Sequence, residues 1–186
     1  MGKTLAQMTT EIREVNIEKG WRSPDGGPCV GQTFGDYIAL LHSEVSEALE
    51  AYRDHRLADA TSTAWGIPQP PKPEGVGSEL ADVLIRLLDM CDVFGIVVFD
   101  MDMELGDVAD ATVLPVFEVS GFGEHLAWLH FLISVMWLNR PDEAPAVLRA
   151  LATTARNFGV DLDAEYERKI AYNRTRAFQH GGRTLA

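Results

Sequence analysis

The chain has 186 residues, of which 46% are hydrophobic, enough for one domain with a substantial core. A formal net charge of −12 and a pI of about 4.7 argue against a nucleic-acid polymer or an anionic membrane as the main partner. A small phosphate substrate stays open, provided a metal neutralises the site first.

Cys29 and Cys91 form no C-x-x-C pair, and no histidine spacing beside them suggests zinc. They read as free thiols, which points to a cytoplasmic protein, and Cys91 falls in an apolar helical pattern. The N-terminal MGKTLAQMTTEIREV lacks the continuous apolar core of a secretory signal. The most apolar stretch, Leu126 to Leu138, is too short to span a bilayer.

In chain order, Leu5, Met8, Ile12 and Val15 predict a helix over 4–19 that ends at Gly20. Residues 21–32 are dense in Gly and Pro and predict a loop. Thr33-Phe34-Gly35-Asp36 resembles a capping box, opening a helix to about Arg56 with Leu41, Val45, Ala48 and Tyr52 on its core side. Pro68, Pro70, Pro71 and Pro73 predict an extended surface segment over 57–77. A third helix is expected from Ser78 to Phe94. Over 95–123, Val97, Val98 and Phe99 suit a short extended piece, and DMDMELGDVAD suits a helix. A fourth helix, 124–139, is apolar nearly all round and should be buried or lie at a subunit interface. A fifth is expected from Asp142 to Asn157, and a last from an Asp161 cap to Phe178. The fold class is all-α, in a single domain over 1–186.

Chemistry concentrates in four acids. Glu44 and Glu47, then Glu79 and Asp82, form Glu-x-x-Glu and Glu-x-x-Asp pairs inside apolar helical patterns. Residues three apart share a helix face, so each pair aims two acids at one point. Acids this close to a core stripe are costly unless something pairs with them. A divalent cation such as Mg²⁺ or Mn²⁺ is the economical partner. A salt-bridge network through Arg53 and Arg86 is the structural alternative.

HSEVSEALEAYRD followed by GSELADVLIRLLD resembles the all-α nucleoside triphosphate pyrophosphohydrolases, the superfamily of MazG and the dimeric dUTPases. The resemblance implies a MazG-like bundle in which Glu44, Glu47, Glu79 and Asp82 bind Mg²⁺ (or Mn²⁺) and Glu47 serves as the catalytic base. It implies conversion of a nucleoside triphosphate to the monophosphate and pyrophosphate, by a homodimer or homotetramer. KIAYNRTRAFQHGG is similar to the end of such sequences, with Lys169, Asn173 and Arg176 in the matching positions and able to share a helix face. Lys169 and Arg176 suit phosphate; Asn173 suits phosphate, sugar or base. Trp21, in GWR, either stacks on a base or caps the core.

Two parts depart from the family pattern: the spacer between the acid pairs is lengthened by the Pro-rich 57–77 loop, a lid or a tolerated insertion, and 100–160 reads as an added helical hairpin. A dUTPase-type or modified-nucleotide hydrolase, or a non-catalytic nucleotide- or metal-binding helical protein, are the alternative functions. Asp100-x-Asp102-x-Glu104 hints at a calcium loop, but Leu105 stands where Gly is needed and Ala111 where Glu is needed. His125 and His130 read as structural. There is no Gly-rich P-loop motif.

Overall fold

A computed structural model describes residues 2–54, 60–62, 71–98, 100–110, 120–139 and 143–179. Among them the chain is all-α, with helices α1 (Leu5–Glu18), α2 (Phe34–Arg53), α3 (Val76–Phe94), α4 (Leu105–Asp110), α5 (Phe122–Asn139), α6 (Ala144–Asn157) and α7 (Leu162–Thr175). None of these helices is long and apolar enough to cross a membrane.

The helix starts follow from local chemistry. Thr4 caps α1 in a reciprocal box with Gln7, and Thr33 caps α2 the same way with Asp36. Asp161 accepts from the Ala164 N–H at the start of α7. Pro145 sits in the first turn of α6, where a missing N–H is harmless.

α3 is the centre of the bundle and packs against α1, α2, α6 and α7. Leu80, Leu84, Leu87, Leu88 and Met90 are fully buried, so apolar contact surrounds it. Gly77, in its first turn, permits close approach by α7: a Cβ there would lie 2.8 Å from Cγ and Cδ of Glu165. Before α3, the Pro-rich region contributes two short antiparallel strands, β1 (Ala60–Ser62) and β2 (Lys72–Glu74), with Thr61 opposite Pro73. They are extended, as expected of that segment, and α3 begins at Val76 rather than Ser78. The middle of that loop, and Phe99 and Pro141, lie outside the described residues.

Among the described residues of 95–121 the helix is α4, and Val97 and Val98 form no strand. The expected added region is α4, α5 and α6; α5 packs on α2 and α6, and α4 on α6. α5 is only half sunk: Leu129, Ile133 and Met136 are buried, whereas Phe131, Trp137 and Leu138 face outward. The sequence shows no polar side to α5 because both sides are apolar.

An ionic lock fastens the 20–32 loop to α3. The buried Arg22 donates from Nε to Asp89 Oδ1 (2.7 Å), from an Nη to the Asp89 carbonyl (2.7 Å) and from the other to Asp92 Oδ2 (2.6 Å). Asn16 Nδ2 donates to the same Asp89 oxygen at 2.6 Å. Burial pushes the Asp89 carboxyl up, against the downward pull of Arg22 and Asn16. Asp89→Ala removes one of the two carboxylates that pair with a buried guanidinium and should cost about 3 kcal/mol of unfolding free energy in urea. A loss under about 1 kcal/mol would class the lock with exposed ion pairs.

Candidate functional site

The site lies where α2, α3 and α7 meet. α2 carries Glu44 and Glu47, α3 carries Glu79 and Asp82, and α7 carries Lys169 and Asn173. Glu44 and Glu79 are only 5% and 8% exposed. They are buried because the apolar stripes of both helices, including Leu41, Val45, Leu80 and Val83, close around them.

One carboxylate oxygen from each of Glu44, Glu79 and Asp82 lies within 4.8 Å of the others. Oxygens bound to a single small divalent ion stand at most about 4 Å apart, given bonds of about 2.1 Å. A slight tightening would make the three acids a common ligand set.

The cluster is partly neutralised from within. Arg86 Nε donates to Glu44 Oε1 at 2.5 Å. Lys169 Nζ, almost wholly buried, is 2.6 Å from Asp82 Oδ2 and donates to Ser78 Oγ at 2.8 Å. Ser78 in turn donates to the Pro73 carbonyl at 2.9 Å, which ties β2 to the site. Two cations against three acids leave negative charge in a dry place. Burial therefore pushes Glu79 up to about 7, opposed by Lys169 and reinforced by Asp82, Glu44 and Glu47. Burial also raises Glu44, opposed by Arg86 and reinforced by Asp82 and Glu47.

Several expectations change here. Glu47 is exposed, touches Ser43 Oγ at 3.5 Å, and stands outside the three-acid group. It lies on the neighbouring edge of α2, three residues from Glu44, and its charge still reaches Glu44 and Glu79. Lys169, read as a phosphate ligand, is instead engaged with Asp82 and Ser78. The last helix stops at Thr175, not Phe178, so Arg176 is its C-cap with extended backbone rather than a third residue on its face. The cause is the sequence after it, in which the Arg176-Ala177-Phe178-Gln179 segment finds partners on α1 and the following turn instead of continuing the helix.

Asn173 is buried, and its Oδ1 has no hydrogen-bond partner among the described residues. Trp21 packs against the core and also carries the Arg176 guanidinium, which sits 5.3 Å from its ring centre and 5.9 Å from that of Tyr172. Core packing is the reading of Trp21 that the structure shows. Burial lowers the Arg176 pKa while Tyr172, Asp82 and Glu44 draw it upward, which puts this cation within the field of the acid cluster. Of the structural alternative, Arg86 does pair with Glu44, whereas Arg53 pairs with Glu50 in its own helix.

Other contacts had no sequence signal. Ser78 and Tyr172 acquire roles only through the approach of α7 to α3. His42 and His130, 88 residues apart, face each other through their Nδ1 atoms at 2.7 Å. The ring centres are 5.0 Å apart, so the nitrogens point head-on and share a single N–H···N bond. His130 is therefore half-buried and paired, and His125 is buried beside Thr154 Oγ1 at 3.1 Å.

No family model, curated protein or solved structure matches the chain.

The raised carboxyls set a pH dependence. A Glu79 that binds its proton more tightly folded than unfolded favours the folded state below its ordinary value of 4.5. That advantage is lost as the pH rises through about 7. With no divalent cation present, unfolding free energy should fall between pH 5 and 8, and Glu79→Gln should flatten the fall. A profile that rises over that range and is unchanged by Glu79→Gln would contradict this electrostatic picture.

Proposed function

We propose that the chain is a metal-dependent nucleoside triphosphate pyrophosphohydrolase of the MazG-like kind. The observation that carries the reading is the convergence of Glu44, Glu79 and Asp82, two of them buried, from two helices onto one point. The sequence resemblance supplies the reaction class, and the all-α bundle is compatible with it.

Glu44, Glu79 and Asp82 would hold Mg²⁺ or Mn²⁺, with Glu47 at the exposed edge. When bound, such an ion would supply Lewis-acid chemistry toward a phosphate and a water. Glu47 would serve as the general base, a role suited to its access to solvent. Arg176 has no carboxylate within ion-pair distance among the described residues, and is the cation left for the phosphates. Lys169 and Arg86 pair with the acids and would yield part of their bonding to an incoming cation. The triphosphate brings its own negative charge, and a bound cation reconciles it with a cluster that is already net negative.

A competing reading treats the acids as structural ion pairs, favoured by the Lys169–Asp82 and Arg86–Glu44 contacts. The two differ in metal dependence. Pyrophosphate release from a panel of canonical and modified nucleoside triphosphates, with Mg²⁺, Mn²⁺ or EDTA, should be metal-dependent. Glu47→Gln should lower turnover by about 10²–10⁴-fold. Its melting temperature should hold, because the side chain is exposed. Full activity in Glu47→Gln, or release that survives EDTA, would sink the reading.

We also infer a homodimer or homotetramer in the cytoplasm. Residues 125–139 contain no Asp, Glu, Lys or Arg, and Phe131, Trp137 and Leu138 are exposed on α5. In a chain of net charge −12, this is a face on which two copies meet without like charges opposed. Light scattering should return a multiple of the 20.5 kDa chain mass. A monomer at micromolar concentration would contradict it.

A further inference from the structure

Beyond α7 the chain turns back onto the end of α1, and its contacts there are specific. Gln179 N donates to the Lys19 carbonyl at 2.8 Å, and its side-chain Nε2 to the Gly20 carbonyl at 3.3 Å. The Phe178 ring lies over the bare Cα of Gly20: a Cβ at that position would fall 2.3 Å from Phe178 Cζ. Gly20 also has φ +73°, a conformation that side chains disfavour. The glycine of GWR is thus required twice, for the turn and for the ring.

The same turn presents Trp21. Its backbone N–H donates to the Asn16 carbonyl at 2.8 Å, and that of Arg22 to the same oxygen at 3.1 Å. Arg22 is locked to Asp89 from below. At the other end of the segment, Arg176 lies over Trp21 and Tyr172. Arg176 and Trp21 are therefore held at both ends. The Arg22–Asp89 lock fixes the tryptophan's turn, and the Phe178–Gly20 and Gln179–Lys19 contacts fix the arginine's segment against it.

We propose that Arg176–Gln179 is a positioning strap. It sets Trp21 and Arg176 as one unit beside the acid cluster, to receive the flat ring and the phosphate of a nucleotide. The proposal rests on the hydrolase reading for the identity of the ligand, but not for the mechanical link. Phe178 and Gln179 touch no part of the cluster and are positioning residues, acting through Arg176 and Trp21. The strap explains why α7 ends early. Continued as helix, the chain would lack the extended backbone at Arg176 from which Phe178 and Gln179 reach Gly20.

The link can be read without catalysis. Cys29 Sγ lies 3.5 Å from the Gly20 carbonyl and is part-buried, whereas Cys91 is buried in the core, so iodoacetamide reports on Cys29. Phe178 is 62% exposed, so Phe178→Ala leaves the core intact and should melt near the wild type. It should speed Cys29 alkylation about fivefold and raise KM for the best nucleotide about fivefold, with kcat nearly unchanged. Phe178→Tyr, which keeps the ring, should restore both. Gln179→Ala, which removes only the side-chain bond to Gly20, should move both the same way by less. An unchanged alkylation rate in Phe178→Ala would overturn the strap. Faster alkylation with an unchanged KM would overturn its part in positioning substrate. If the wild type hydrolyses no nucleotide, the hydrolase reading and the strap's substrate role fail together, and the alkylation rates still decide whether the strap exists.

Discussion

Three carboxylates converging beside Arg86 and Lys169 in the largely buried junction of α2, α3 and α7 is the constraint on which the rest of the architecture turns. A hydrophobic bundle gains nothing from placing Glu44 and Glu79 inside it, since both carboxyls are pushed toward the protonated form. The junction persists because Arg86, Lys169 and Ser78 satisfy part of the need. Such pairing is weak support for stability, and replacing a buried ion pair with apolar residues often stabilises a protein. A net negative residue of charge at a helix junction is the feature on which the proposed cation site rests.

The surrounding bundle keeps that junction in place. α3 contributes two acids and the Arg22 lock on one helix: Glu79 and Asp82 near its start, Asp89 and Asp92 near its end. Any shift of α3 would be felt at both ends. α7 is drawn close by the absence of a side chain at Gly77, and so brings Lys169 within reach of Asp82. α5 covers the far side of α2 and takes no part in the acid cluster. α3 thus serves both scaffold and site, while α5 stands apart from the acids.

How much of this was legible in the sequence depended on the range of the cause. The helices around the acids were readable because capping at Thr33 and Asp161 and the Leu41–Val45–Ala48 stripe are local signals. The pairing of Glu44 with Glu79 and Asp82 followed from two i, i+3 motifs and needed only that their helices pack together. Three things depended on distant contacts. Glu47 faces solvent because the rotation of α2 is set by all of its packing, and two neighbouring acids of one motif need not be buried alike. Lys169 bonds Asp82 because α7 approaches the first turns of α3. Arg176 leaves the helix because Gly20, more than 150 residues earlier, offers a seat for Phe178. Trp21 was visible as a candidate, but Arg22 beside it was not: a buried arginine is recognisable only once Asp89 and Asp92 are seen on the facing helix.

The central claim is that the acid junction is a divalent-cation site, and calorimetric titration of Mn²⁺ into the metal-free protein at pH 7 tests it most directly. Glu79 titrates near that pH, so a cation binding there must displace protons, and the heat should vary with the ionisation enthalpy of the buffer. The account predicts saturable binding with proton release, both abolished in Glu79→Ala. No binding at millimolar Mn²⁺, or binding that Glu79→Ala leaves untouched, would contradict it.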